Sequence, residues 1–117
     1  MKIRAIALAL VLVLIVCTVT SCAVSEEEIV GSWAGVYYAE NGNYYEHVIT
    51  LTRTKDFAYT VYKNGKMDSA RTGYYSIEGK KVILIHDDYR YGRSEYKFKY
   101  KNGSLTNGIV TLDKVTD

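Results

Sequence analysis

Two patterns of apolar and polar positions divide this chain. Ala5 to Val16 is an unbroken apolar run behind Lys2 and Arg4. From Ser32 onward the apolar positions alternate instead. Tyr45, His47, Ile49 and Leu51 share one face, with Glu46, Val48 and Thr50 between them. Phe57, Tyr59 and Val61 form a second face, and Tyr96, Phe98 and Tyr100 a third, interleaved with Lys97, Lys99 and Lys101. A period of two describes a strand with one dry face and one wet face. Asn-Gly pairs at 41–42, 64–65, 102–103 and 107–108 punctuate the pattern, as do Glu78-Gly79-Lys80, Tyr91-Gly92-Arg93 and the polar stretch 53–56. Such sequences are hairpin turns in the making. The runs between them are rich in Val, Ile, Thr, Tyr and Phe. They predict strands at about 32–40, 44–52, 57–63, 67–77, 81–87, 94–101, 104–106 and 109–115. No Pro interrupts the pairing.

Hairpin follows hairpin, so each strand is expected to pair with the next. The expected fold is all-β: an antiparallel up-and-down meander of about eight strands closing into a small barrel, which removes both free edges. A two-sheet β-sandwich is the alternative. Helical signal is confined to Ser25-Glu26-Glu27-Glu28, a capping box with Ser25 as N-cap and acid in the first turn. Gly31 keeps that helix to a short turn.

The N-terminal apolar run is shorter than the roughly 20 residues a permanent transmembrane helix needs. Its basic, apolar, then small-residue layout is that of a secretion signal. Val19-Thr20-Ser21-Cys22 resembles the lipobox of bacterial lipoproteins, in which an aliphatic residue, two small residues and a Cys follow the apolar run. The resemblance implies that residues 1–21 are removed and that Cys22 becomes the mature N-terminus, carrying a diacylglyceryl thioether. Residues 22–28 then make the lipidated end and a short tether, and 29–117 make one domain. The protein is expected on the extracytoplasmic face of a cell membrane (the outer membrane if the source has one), held close by its lipid. Cys17 leaves with the signal. Cys22 is then the only Cys, and once acylated it leaves no thiol for a disulfide, a metal or a nucleophile.

Gly31-Ser32-Trp33 after a short helical turn, followed by a meander, resembles the start of the lipocalin and fatty-acid-binding superfamily, and above all its small bacterial lipoprotein members. Gly73-Tyr74-Tyr75-Ser76-Ile77 and Leu112-Asp113-Lys114-Val115 match later motifs of that group. The resemblance covers about residues 29–116. It implies that Trp33 plugs the closed end of the barrel with Lys114 over its ring as a cation–π partner. A ligand contact is the other role open to Trp33. The domain is far shorter than a true lipocalin and lacks that family's paired cysteines, so no particular ligand carries over.

Charge and chemistry narrow the function. All 13 acidic residues but only 13 of the 15 basic ones follow Cys22, because Lys2 and Arg4 lie in the signal. A domain with no basic excess is not a general nucleic-acid binder. There is no nucleophile elbow, phosphate loop or zinc-hydrolase His pair, and the expectation is a non-enzyme without cofactor or metal. His86 and Asp87 would face opposite sides of a strand, Asp87-Asp88 reads as the start of a loop, and His47 shares the face of Ile49 and Leu51. The Lys97, Lys99 and Lys101 stripe reads as a solvated outer face. Its alternative role is steering an anionic partner such as a lipid headgroup or cell-wall polymer.

The 12 tyrosines include the adjacent pairs 37–38, 44–45 and 74–75. One member of each pair points in and the other out. Tyr38, Tyr44 and Tyr74 are the expected outward members, able to stack on a sugar or another protein. Trp33, Phe57, Tyr59, Tyr75, Tyr96, Phe98 and Tyr100 compete for the interior, which in an eight-stranded barrel holds its own side chains or one small ligand. The expectation is therefore a membrane-anchored, non-catalytic binding domain. Its partners are the membrane through Cys22 and an envelope polymer, a protein or a small apolar ligand. The alternatives are a carrier or sensor with a hydrophobic ligand inside the barrel, and a purely structural envelope protein.

Overall fold

A computed structural model describes residues 23–115. Cys22 and residues 1–21, the expected signal segment, lie outside the described residues, as do the last two residues. Ser25 caps a four-residue helix, α1 (Glu26–Ile29): its Oγ accepts from the Glu28 amide at 3.4 Å and donates to Glu28 Oε1 at 3.1 Å. The helix stops at Val30, which is extended, and the chain enters the sheet directly. Eight strands follow: β1 (Gly31–Tyr38), β2 (Tyr44–Leu51), β3 (Asp56–Lys63), β4 (Lys66–Glu78), β5 (Lys81–Asp88), β6 (Gly92–Lys101), β7 (Ser104–Thr106) and β8 (Thr111–Lys114). Each pairs antiparallel with its sequence neighbour, and β8 pairs with β1 through Trp33–Lys114 and Ala34–Asp113. The single sheet is thus a closed up-and-down barrel rather than a sandwich.

The turns have the expected chemistry. Asn64-Gly65 and Asn102-Gly103 form two-residue loops with both residues at positive φ, the condition for a hairpin that matches strand twist. The Asp87-Asp88 pair differs from expectation: both residues continue β5, opposite Arg93 and Gly92. The turn begins after them, and Asp88 Oδ1 accepts from the Arg90 amide at 2.7 Å to hold it. The acid that signals a turn is here the last residue of the strand.

Alternation places Trp33, Ile49, Leu51, Phe57, Tyr59, Tyr75, Val82, Leu84, Phe98, Leu105 and Leu112 in one core cluster. Two glycines let the barrel bend tightly around it. A Cβ at Gly35 would lie 2.1 Å from Thr111 O, and one at Gly73 would lie 2.1 Å from Ile85 O and 2.9 Å from Phe57 Cε1. No side chain fits where a neighbouring strand's carbonyl passes so close. β5 is the exception to one-sided burial: Ile83 and Ile85 face outward yet are almost as buried as Val82 and Leu84.

Candidate functional site

The two ends of the barrel differ. At one end sit α1 and the turns after β2, β4 and β6. Here Trp33, 1% exposed, donates from Nε1 to Ile29 O at 2.9 Å and meets Tyr100 edge-on with ring centroids 6.3 Å apart. Lys114 Nζ stands 5.8 Å from the Trp33 ring centroid and donates to Glu28 O at 3.2 Å. The indole therefore lies beneath α1 with its only polar atom satisfied, and Lys114 spans the helix and the ring. Tyr75 Oη donates to Thr52 O at 2.5 Å, and Lys55 bridges to Glu26 at 3.2 Å. Burial first, then the Glu26 and Asp56 carboxylates, push the Tyr75 phenol up from its usual value. This end is shut by packed rings, with the Trp33 N–H and the Tyr75 hydroxyl each tied to a backbone carbonyl.

The other end is open. The β4–β5 ladder begins only at Tyr74–Ile85, so the earlier part of β4 and the end of β5 run unpaired with each other. His86 spans this gap, with Nδ1 2.7 Å from Thr72 O. A carbonyl only accepts, so Nδ1 carries the proton there. Below the gap a cavity of about 110 Å³ is lined by Tyr59, Val61, Ser69, Arg71 and Tyr96. Tyr59 packs edge-on against Tyr96 and Phe98, at 5.6 and 5.9 Å between centroids, and shares a 2.6 Å hydrogen bond with His47 Nδ1. Burial, reinforced by the charge Tyr96 would carry when ionised, pushes the Tyr59 phenol to about 12. Burial also lowers the pKa of His47, favouring the neutral ring. Among the residues that line the cavity Arg71 is the one cationic side chain, and none is a carboxylate. The Arg71 guanidinium uses one N–H on Ala70 O at 2.9 Å, and no carboxylate lies within salt-bridge distance among the described residues.

Arg71 and Ser69 carry no motif in the sequence. Their inward orientation is readable by counting back in twos from Tyr75 and Gly73, but the stretch 66–72 has no apolar alternation to prompt the count. The bulge between Val61 and Tyr62 further shifts the register of the outermost pairs.

The outward tyrosines do not form one site. Tyr38 and Tyr44 are cross-strand partners, with rings 6.1 Å apart and 76% and 39% exposed. Val36 and Met67 are also exposed nearby on this four-strand face. Tyr74 stands apart, opposite Ile85 on one side and Asp56 on the other. Among the described residues no three His, Cys, Asp or Glu side chains gather as a metal site. No family model, curated protein or solved structure matches this chain.

Proposed function

We propose that this protein is a lipid-anchored, extracytoplasmic binding domain, without catalytic activity, that takes a small anionic ligand at the open end of its barrel. The observation that carries the reading is the inward-facing Arg71 in a cavity otherwise walled by Tyr59, Tyr96, Val61 and Ser69. A guanidinium offers paired donors to a carboxylate, and the tyrosine rings cover a short apolar body. The cavity of about 110 Å³ is well below the range that accommodates drug-sized ligands. The closed half is filled by Trp33, Phe57, Tyr75 and Phe98, which supports a ligand of a few heavy atoms over a long-chain lipid. The anchor rests on the lipobox and on Cys22, which precedes α1 by only three residues.

The test is a titration of the protein with acetate, benzoate and palmitate, followed by amide and tyrosine NMR signals. Saturable shifts around Tyr59 and Tyr96 with a short carboxylate, lost in Arg71→Gln, are expected. Palmitate binding that persists in Arg71→Gln would restore the hydrophobic-carrier reading, and silence to all three acids would remove the mouth as a site. A second reading rests on the exposed, adjacent Tyr38–Tyr44 pair, whose rings meet at a tilt of 41°. On that reading Tyr38→Ser with Tyr44→Ser abolishes retention on an envelope polysaccharide column while Arg71→Gln does not.

A further inference from the structure

We infer that the face formed by Lys80, Lys81, Lys97, Lys99 and Lys101 lies on an anionic bilayer surface, which leaves the mouth of the barrel in solution. The inference rests on the anchor proposed above and adds the surface that meets the lipid. Along β6 the lysines read as a stripe, as on many solvated strands. The fold makes them a patch. Lys81 stands directly across the ladder from Lys99, a like-charge pairing that costs stability in isolation. The turn after β4 adds Lys80. None of the five is within 4 Å of a carboxylate among the described residues, where the ion pairs are Lys55–Glu26 and Arg93–Glu95. Glu28, Glu78 and Glu95 are acidic neighbours: Glu28 lines one groove, Glu78 stands opposite Lys81, and Glu95 precedes Lys97 by two residues on the same face of β6, where it pairs with Arg93.

The chain's own course brings the membrane to this patch. A groove of about 430 Å³ is lined by Lys80, Lys99 and Lys101 together with Ala23 and Val24, the first described residues. Val24 is fixed there, its amide donating to Gly79 O at 3.0 Å. Two residues of extended chain reach at most about 7 Å, so a lipid on Cys22 holds the bilayer surface within about one Debye length of Val24 at physiological salt. A second groove of similar size is lined by Lys81, Lys97, Lys99 and Lys101 and reaches across β6 to Thr106 and Gly108. Lys99 and Lys101 line both grooves, and each groove can receive a phosphate-bearing headgroup. The mouth with Arg71 is at the opposite end, free to meet a ligand in solution.

The full-length lipidated protein is tested in vesicles of phosphatidylcholine and in vesicles with about 30% phosphatidylglycerol. Lysine acetylation by an activated ester, read by peptide mass spectrometry, reports access. On the anionic vesicles Lys80, Lys81, Lys97, Lys99 and Lys101 should react at least about threefold more slowly than on the neutral ones, and the difference should vanish near 1 M salt. Lys63 and Lys66, at the open end, should react equally on both. In the variant K80E/K99E/K101E, Lys81 and Lys97 should lose their protection. Equal rates on both vesicles overturn the inference, as does protection of Lys63 and Lys66 instead. Protection by soluble dextran sulfate but not by phosphatidylglycerol overturns it in favour of a polyanion. Flotation with neutral vesicles and fatty-acid labelling of Cys22 report the anchor separately. A protein that is labelled and floats but reacts equally on both vesicles has the anchor and lacks this orientation, whereas one that does neither lacks the anchor.

Discussion

The closed and open ends of this barrel are built from the same alternating strands and the same residue type, yet they do opposite things. At the closed end an aromatic ring is buried and its polar atom is tied to backbone, as with Trp33 on Ile29 O and Tyr75 on Thr52 O. At the open end the rings of Tyr59 and Tyr96 pack against each other but border a cavity, and the Tyr59 hydroxyl bonds to the side chain of His47. The difference comes from what covers each end. α1 lies across Trp33, whereas β4 and β5 part above Gly73 and leave the mouth uncovered. A ring under a lid adds stability; a ring at a gap leaves surface for a ligand.

The comparison breaks most easily at Trp33. Trp33→Ala should cost about 3–5 kcal/mol in urea unfolding, the usual toll of truncating a buried aromatic. A loss below about 1 kcal/mol would make the closed end no more consequential than the open one. Gly73→Ala should cost about 1–3 kcal/mol, because the added methyl meets the Ile85 carbonyl and the Phe57 ring. The same substitution at Gly42, where a Cβ meets nothing within 4 Å, tests strain from positive φ alone. A Gly73→Ala effect no larger than that at Gly42 would show that the strands can part further without penalty.

Two smaller effects sharpen the picture of the mouth. Burial favours neutral His47, so its folded pKa lies below its unfolded 6.5. The stability it contributes is complete above pH 6.5 and is lost as the pH falls through the lowered value. Thermal melts between about pH 8 and pH 5 should fall more steeply for the wild type than for His47→Gln, and parallel curves would place His47 in a wetter site. Tyr59 has the opposite sign: its stability contribution is complete below pH 10 and lost as the pH rises through about 12. In a spectrophotometric titration the Tyr59 phenol should therefore ionise after the exposed tyrosines. Smallest of all, Tyr38→Ser and Tyr44→Ser should each change stability by no more than about 0.5 kcal/mol, measured in the same urea series. A larger loss would mean that this exposed pair holds the sheet together.

Much of the fold was legible because its causes are local. Alternation marks the inward faces of β2, β3 and β6, and Asn-Gly pairs mark turns, so the eight strands lie within a few residues of their expected spans. Ser25 and Glu28 specify α1 in the same way. Legibility fails where alternation is absent. Residues 66–72 carry no apolar alternation, Met67 and Ala70 falling out of step with each other, which hid Arg71. Val82 to Ile85 are apolar on both faces, which hid that Ile83 and Ile85 point outward. The end of β5 was hidden because Asp88 serves strand and turn together.

The sequence alone determined the strand order, the turns, the helical start and which residues have the chemistry to fill a core, since each depends on neighbours a few positions away. Only the closed barrel decided which of them meet. Register across β1 and β2 set Tyr38 beside Tyr44, while Tyr74 went to another part of the surface. The parting of β4 from β5 exposed Arg71 to a cavity that the residues near it in the chain do not describe. Pairing of β5 with β6 and the turn after β4 turned a stripe of three lysines on β6 into a patch of five, and docking of Val24 on Gly79 set that patch beside the first described residues. These encounters depend on contacts between residues distant in the chain, which an alternating pattern can permit but not specify.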